Sequence, residues 1–151
     1  MNIAGVLIQE LKQIADERGK VMHMLRVDSP LFTRFGEIYF SVVNPGVVKA
    51  WKRHREMTQH LTVPVGKIKL AIFDDREDSP SCGIVEVLEI GEDNYLLVKI
   101  SPLLWYGFQG LSATPALIAN CTDLPHIKEE VEYREVQDSL IPYNWKSIII
   151  A

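Results

Sequence analysis

Lys67-Ile68-Lys69-Leu70-Ala71-Ile72-Phe73, then Ile84-Val85-Glu86-Val87-Leu88-Glu89-Ile90 and Tyr95-Leu96-Leu97-Val98-Lys99-Ile100, is the stretch that decides the fold class. Its first segment opens with strict alternation of polar and apolar side chains, the period of a half-buried strand. The charged turn Asp74-Asp75-Arg76-Glu77-Asp78-Ser79-Pro80 stops it, and Gly91-Glu92-Asp93-Asn94 joins the next two segments as a hairpin. Working outward, Glu37-Ile38-Tyr39-Phe40-Ser41-Val42-Val43 is aromatic and β-branched and ends at Asn44-Pro45-Gly46. Val47–Trp51, His60–Val63 and Ala116–Ala119 read as further short apolar strands. Strand upon strand without intervening helices predicts an all-β sandwich or barrel.

The N-terminal stretch reads two ways. Ile3, Val6, Leu7, Leu11 and Ile14 recur at helical spacing with Gly19 as a stop, which predicts a short N-terminal helical element. Alternatively, Val6-Leu7-Ile8 is a strand followed by one helical turn.

The 151 residues are 47% hydrophobic and 24% charged, which suits a single packed domain over 1–151 and excludes a disordered chain. A net charge of −4 lacks the basic footprint that nonspecific nucleic-acid binding requires, so no nucleic-acid partner is expected. No apolar run approaches a membrane span, and no signal peptide is visible, so no membrane partner and a cytoplasmic location are expected. Cys82 and Cys121 stand apart, outside any CxxC pattern, and read as reduced, partly buried thiols.

Several segments go beyond a generic barrel. Asp16-Glu17-Arg18-Gly19, Gly46 to Lys52, Asp74-x-Arg76 with Ser79, Pro80 and Gly83, and Tyr106-Gly107-Phe108 with Leu111-Ser112 occur in that order. Asn120-Cys121-Thr122-Asp123 and Asp138-Ser139…Tyr143-Asn144-Trp145 follow. Over roughly residues 16–145 this series resembles the dTDP-4-dehydrorhamnose 3,5-epimerase family of RmlC-like cupins. The resemblance implies a cupin-type jelly roll, an isomerase or epimerase acting on carbohydrate derivatives, and a homodimer, with N-terminal strands exchanged as one arrangement. It also implies a nucleotide-diphosphate sugar as partner, a dTDP-4-keto-6-deoxyhexose, and no metal or other cofactor.

The family's reaction takes protons from carbons beside a C4 ketone and returns them to the opposite face, which needs a base, an acid and a group for the enolate oxygen. By resemblance, the base histidine aligns with Lys52, its aspartate partner with Asp138, the lysine with His60, and the histidine before Gly-Phe with Tyr106. The family tyrosine falls where Leu124-Pro125-His126 stand. Arg18 and Lys49 occupy diphosphate-binding positions; Glu37, Tyr39, His60 and Asn120 complete the substrate-binding set. An ordinary lysine is protonated at neutral pH, so Lys52 reads as an electrostatic partner rather than the base, and pairing with Asp138 would keep it charged. Lys52 and His54 share a strand face, with Arg53 outside. The catalytic set is therefore Lys52, His54, Tyr106 and Asp138. The cupin metal positions fall on Lys52, His54, Gln59 and Tyr106, and a protonated lysine there repels a divalent cation. His54, the second histidine of the His-x-His found in sugar 3,4-ketoisomerases, keeps that activity open, and so does a non-catalytic sugar-nucleotide-binding cupin. Asp74 and Arg76 read as turn-fixing residues, and Trp51, Trp105, Phe108 and Trp145 as core.

Overall fold

The computed structural model describes residues 2–147. In chain order its strands begin with β1 (Val6–Glu10), β2 (Gln13–Asp16), β3 (Gly19–Met22) and β4 (Glu37–Val43). They continue with β5 (Val48–His54), β6 (Gln59–Val65), β7 (Lys67–Phe73) and β8 (Val85–Gly91). β9 (Leu96–Ile100), β10 (Trp105–Gly110), β11 (Ala116–Thr122) and β12 (Val131–Tyr133) complete the set, the last preceded by a 3₁₀ turn at Lys128–Glu130. β1-β9-β6-β11-β4 forms one antiparallel sheet, β12-β5-β10-β7-β8 the other, and β2-β3 a separate hairpin. This is the all-β jelly roll that the strand pattern and the resemblance led us to expect.

The N-terminus corrects one expectation. Val6–Glu10 is extended and pairs with β9 from Val6↔Ile100 to Glu10↔Leu96. Asp16-Glu17-Arg18-Gly19 is the turn of the β2-β3 hairpin. The helical spacing of Ile3, Val6, Leu7, Leu11 and Ile14 is coincidental: Ile3 and Val6 are buried, but Leu7 and Ile14 are exposed. No helix in the described residues is long and apolar enough to cross a membrane.

Two cores hold the sheets. Leu61, Val63, Ile68, Leu70, Ile72, Val98, Phe108 and Ile118 fill the space between them. Trp51, Ala71, Phe73 and Trp105 face outward from the second sheet, where Ile141 and Trp145 of the C-terminal segment cover them. Arg53 and Arg134 lie over the Trp105 ring at 4.6 and 4.8 Å from its centroid. Cys121 is buried, but Cys82 is exposed, contrary to its expected partial burial. Asp74 accepts hydrogen bonds from Ser79, Ser81 and the Arg76 guanidinium, which fixes its turn and holds its carboxyl far below the usual range despite burial.

The interior changes character along the strands. Val63 and Leu61 of β6 are followed inward by Gln59, Ile118 of β11 by Asn120, and Val43 of β4 by Ser41, Tyr39 and Glu37. One end of the sandwich is therefore closed by apolar packing, and the other is a polar cup.

Candidate active site

A β-bulge sets which side chains enter the cup. Tyr106 of β10 pairs with Lys52, but Phe108 pairs with Lys49, so β5 carries an extra residue at Ala50-Trp51. Strict alternation would put Lys49 and Lys52 on opposite faces; the extra residue brings both to the cup while Trp51 turns to the outer core. Gly107 permits this close crossing, because a Cβ there would lie 2.3 Å from that of Ala50. Two cavities result. One of about 280 Å³ is lined by Ser41, Lys49, Lys52, Tyr106, Phe108 and Tyr133 among others. The other, of about 290 Å³, is lined by Glu37, Tyr39, Lys52, His54, His126, Val131 and Tyr133. Lys52 and Tyr133 line both. A larger open groove of about 600 Å³ runs between β1 and residues 23–30, but its Arg26 and Asp28 pair with each other and it gathers no buried acid–base groups.

His54 is 3% exposed, and its Nδ1 lies 2.6 Å from Glu130 Oε1. A carboxylate only accepts, so Nδ1 carries the proton and Nε2 presents a lone pair. Burial lowers the His54 pKa against the opposing pull of Glu130, leaving the ring neutral at neutral pH. Burial also disfavours a charged Glu130, but the amides of Glu56 and Met57 and the His54 ring outweigh it, so its carboxyl ionises more easily than usual. A neutral imidazole held by an oriented carboxylate is chemically able to accept a proton.

A second network fixes the floor. The His60 amide donates to Asn120 Oδ1, and Asn120 Nδ2 donates to the Tyr39 hydroxyl at 2.9 Å and to Gln59 Oε1. Tyr39 therefore accepts from Asn120 and keeps its own proton free. Tyr106 donates to Gln59 Oε1 at 3.3 Å, and its oxygen lies 3.5 Å from His54 Nε2. Burial pushes both phenols up, Tyr106 well above its ordinary value, so both stay protonated. Lys49 donates to Ser41 Oγ at 2.8 Å, and Lys52 lies 5.6 Å from the Tyr106 ring centroid. Burial, reinforced by the Lys49 charge, lowers the Lys52 pKa.

The expected residues do not all meet. Lys52, His54, Tyr106, Lys49, Glu37 and Tyr39 line the cup, and Asn120 supports its floor. Asp138 does not reach Lys52: it accepts from the Leu140 amide, lies 3.5 Å from Arg134, and lines a separate concavity. His60 is fully buried outside the cup, its ring bonded to the Cys121 and Leu31 carbonyls, because β6 turns Gln59 inward. Arg18 sits exposed at the hairpin turn and pairs with Asp16. Sequence reasoning missed Glu130 and Tyr133; alternation over Val131-Glu132-Tyr133 was the available signal for Tyr133, whereas Glu130 lies in the preceding 3₁₀ turn, which alternation does not read. Among the described residues, no three His, Cys, Asp or Glu side chains come within metal-holding range of one another.

The lowered His54 pKa has a stability consequence. The unfolded ring binds its proton near pH 6.5 and the folded ring only below that, so protonation favours unfolding. Stability from neutral His54 is complete above about pH 6.5 and declines as pH falls from there toward the folded value. Denaturant titrations from pH 7 to 5 are expected to show this decline in the native protein and a shallower one in His54→Asn; equal slopes would remove the ring as its source.

An antiparallel jelly-roll cup holding a carboxylate-paired histidine, a lysine and protonated tyrosines defines a cupin equipped for acid–base chemistry. The chain belongs to the dTDP-4-dehydrorhamnose 3,5-epimerase family, whose model matches residues 1–151. It is similar to the probable low-salt glycan biosynthesis epimerase Agl13 of Haloferax volcanii, at 37% identity over 95% of this chain and 90% of that protein. The spore coat polysaccharide biosynthesis protein SpsL of Bacillus subtilis is 30% identical over 96% and 97% of the two chains. The crystal structure of a dTDP sugar isomerase from Desulfovibrio desulfuricans G20 superposes with a TM-score of 0.93 at 50% identity, covering 95% of this chain and 92% of that one. Membership makes this a nucleotide-sugar epimerase-like protein.

Proposed function

We propose that the protein epimerises a dTDP-4-keto-6-deoxyhexose at a carbon beside the ketone, with His54 as base, Glu130 orienting it, and Tyr39 as acid. The observation that carries this reading is that His54 of one sheet and Tyr39 of the other line a single cavity. A sugar ring between them meets a proton acceptor on one face and a protonated phenol on the other, as inversion requires. Abstraction leaves an electron pair that needs a sink at C4, a role that suits Lys52, which lines the cavity on the same β5 face as His54. Tyr106, beside His54, holds the imidazole against the floor network. Lys49 and Ser41 in the adjoining cavity suit the diphosphate, and Glu37 suits a hexose hydroxyl.

We treat residues 1–151 as one cytoplasmic RmlC-like domain acting as a homodimer. Edge strand β4, whose outward Ile38, Phe40 and Val42 are more than half exposed, supports self-association. The hairpin bearing Arg18 lies outside its own cup and is free to reach that of a second copy.

Tyr39→Phe separates the acid from the base. Solvent deuterium should still enter beside the ketone, since His54 takes and returns a proton on its own face, while formation of the inverted sugar falls about 10²–10⁴-fold. Inversion at the native rate would place the acid elsewhere.

A further inference from the structure

Strand alternation on β5 separates charges in an unusual way. Arg53, facing outward, takes Glu132 and Asp75 as partners. Lys52, facing inward, has no carboxylate within ion-pair distance among the described residues, and its strand neighbours on both sides are tyrosines, Tyr106 and Tyr133. The carboxylate that shares its cavity, Glu37, accepts the His126 amide at 2.8 Å. The other cation of the cup, Lys49, is engaged by Ser41 and the Val42 carbonyl. Lys52 thus presents an unpaired amine to both cavities, beside the histidine that removes protons. An ammonium serving only as a counter-charge is ordinarily held by a carboxylate; an amine without one, half-buried where two cavities meet and beside a proton acceptor, is positioned to meet a carbonyl.

We infer that Lys52 supplies the electron sink covalently, by forming an iminium with the C4 ketone of the sugar; this rests on the epimerase reading above. Neutral Nζ adds to C4 to give a carbinolamine, which takes a proton from solvent at the cup mouth and expels water. His54 then removes the adjacent C–H proton; the C–H electron pair becomes a C=C bond and the C=N π pair moves onto nitrogen, giving a neutral enamine. Tyr39 returns a proton to the other face, and water hydrolyses the iminium, releasing the proton first borrowed and restoring ketone and amine. His54 then loses its proton to solvent, and Tyr39 regains one from it. No oxidant or reductant enters. The low proton affinity that burial and Lys49 impose on Lys52 keeps free amine available for the addition.

The test combines trapping with exchange. The protein is incubated in D₂O with dTDP-4-keto-6-deoxyglucose, with and without cyanoborohydride, which reduces an iminium and fixes the sugar nucleotide to the amine. The expected result is a protein mass increase equal to the sugar nucleotide less one oxygen atom, plus about one mass unit for each deuterium taken up on carbon, located at Lys52 by peptide mapping. Lys52→Arg keeps the charge but cannot form the iminium, so it should trap nothing and exchange deuterium no faster than Lys52→Met. Exchange by the native protein without any adduct, or Lys52→Arg exchanging close to the native rate, overturns the covalent step and leaves the epimerase reading intact. Failure of both exchange and trapping despite bound nucleotide sugar overturns the epimerase reading, and the covalent step with it.

Discussion

His54→Asn should lower deuterium exchange and epimer formation by about 10²–10⁴-fold, the range that one positioned general base contributes. Asparagine is the informative replacement because its side-chain N–H₂ can still donate to Glu130, which otherwise becomes a buried carboxylate lacking its ring partner. What disappears is the Nε2 lone pair facing the cavity. Binding of dTDP should change little, since Lys49 and Ser41 lie in the adjoining cavity. Turnover within threefold of native would show that His54 does not take the proton. The surviving activity of Glu130→Gln should lie between these limits, and the pH dependence of kcat/KM should lose the form set by the paired ring.

Trp51→Ala should destabilise the fold by about 3–5 kcal/mol, the usual cost of emptying a buried aromatic site. Against a total of about 5–15 kcal/mol this is a large fraction. Trp51 is 1% exposed, its Nε1 donates to the Val136 carbonyl at 3.1 Å, and its ring packs on Trp145 at 5.4 Å and Tyr143 at 6.1 Å. Its backbone also exchanges hydrogen bonds with Arg134. These contacts hold the C-terminal segment, which follows Glu130 and Tyr133, against the back of β5. Equilibrium denaturation measures the loss; a change below about 1 kcal/mol would mean that the segment is held by other contacts.

Strands bounded by strong turns were readable from composition. Glu37–Val43 and Lys67–Phe73 have the same limits in sequence and structure, because Asn44-Pro45-Gly46 and the Asp74–Pro80 turn leave no room for extension. β10 was not readable: Gly107 and Gly110 carry no strand propensity, and all six residues are buried, so no alternation shows. The site was legible where alternation held, as for Lys52 and His54. Lys49 lines the cup as the resemblance implied, though only because a bulge turns it there; the reading failed at His60, whose inward neighbour is Gln59. Asp138 failed for another reason: its turn carries it to the outer side of the sheet, and the carboxylate that meets the histidine comes instead from a short charged turn at Glu130.

Proton NMR of dTDP-4-keto-6-deoxyglucose in D₂O with the native protein bears on all of this most directly. Opposed base and acid walls predict that the proton signal of a carbon beside the ketone disappears as deuterium replaces it, while the remaining ring protons of the epimer, deuterated at that carbon, grow in. Tight binding with every ring proton retained, or a ketone that migrates to C3 instead, would contradict the account.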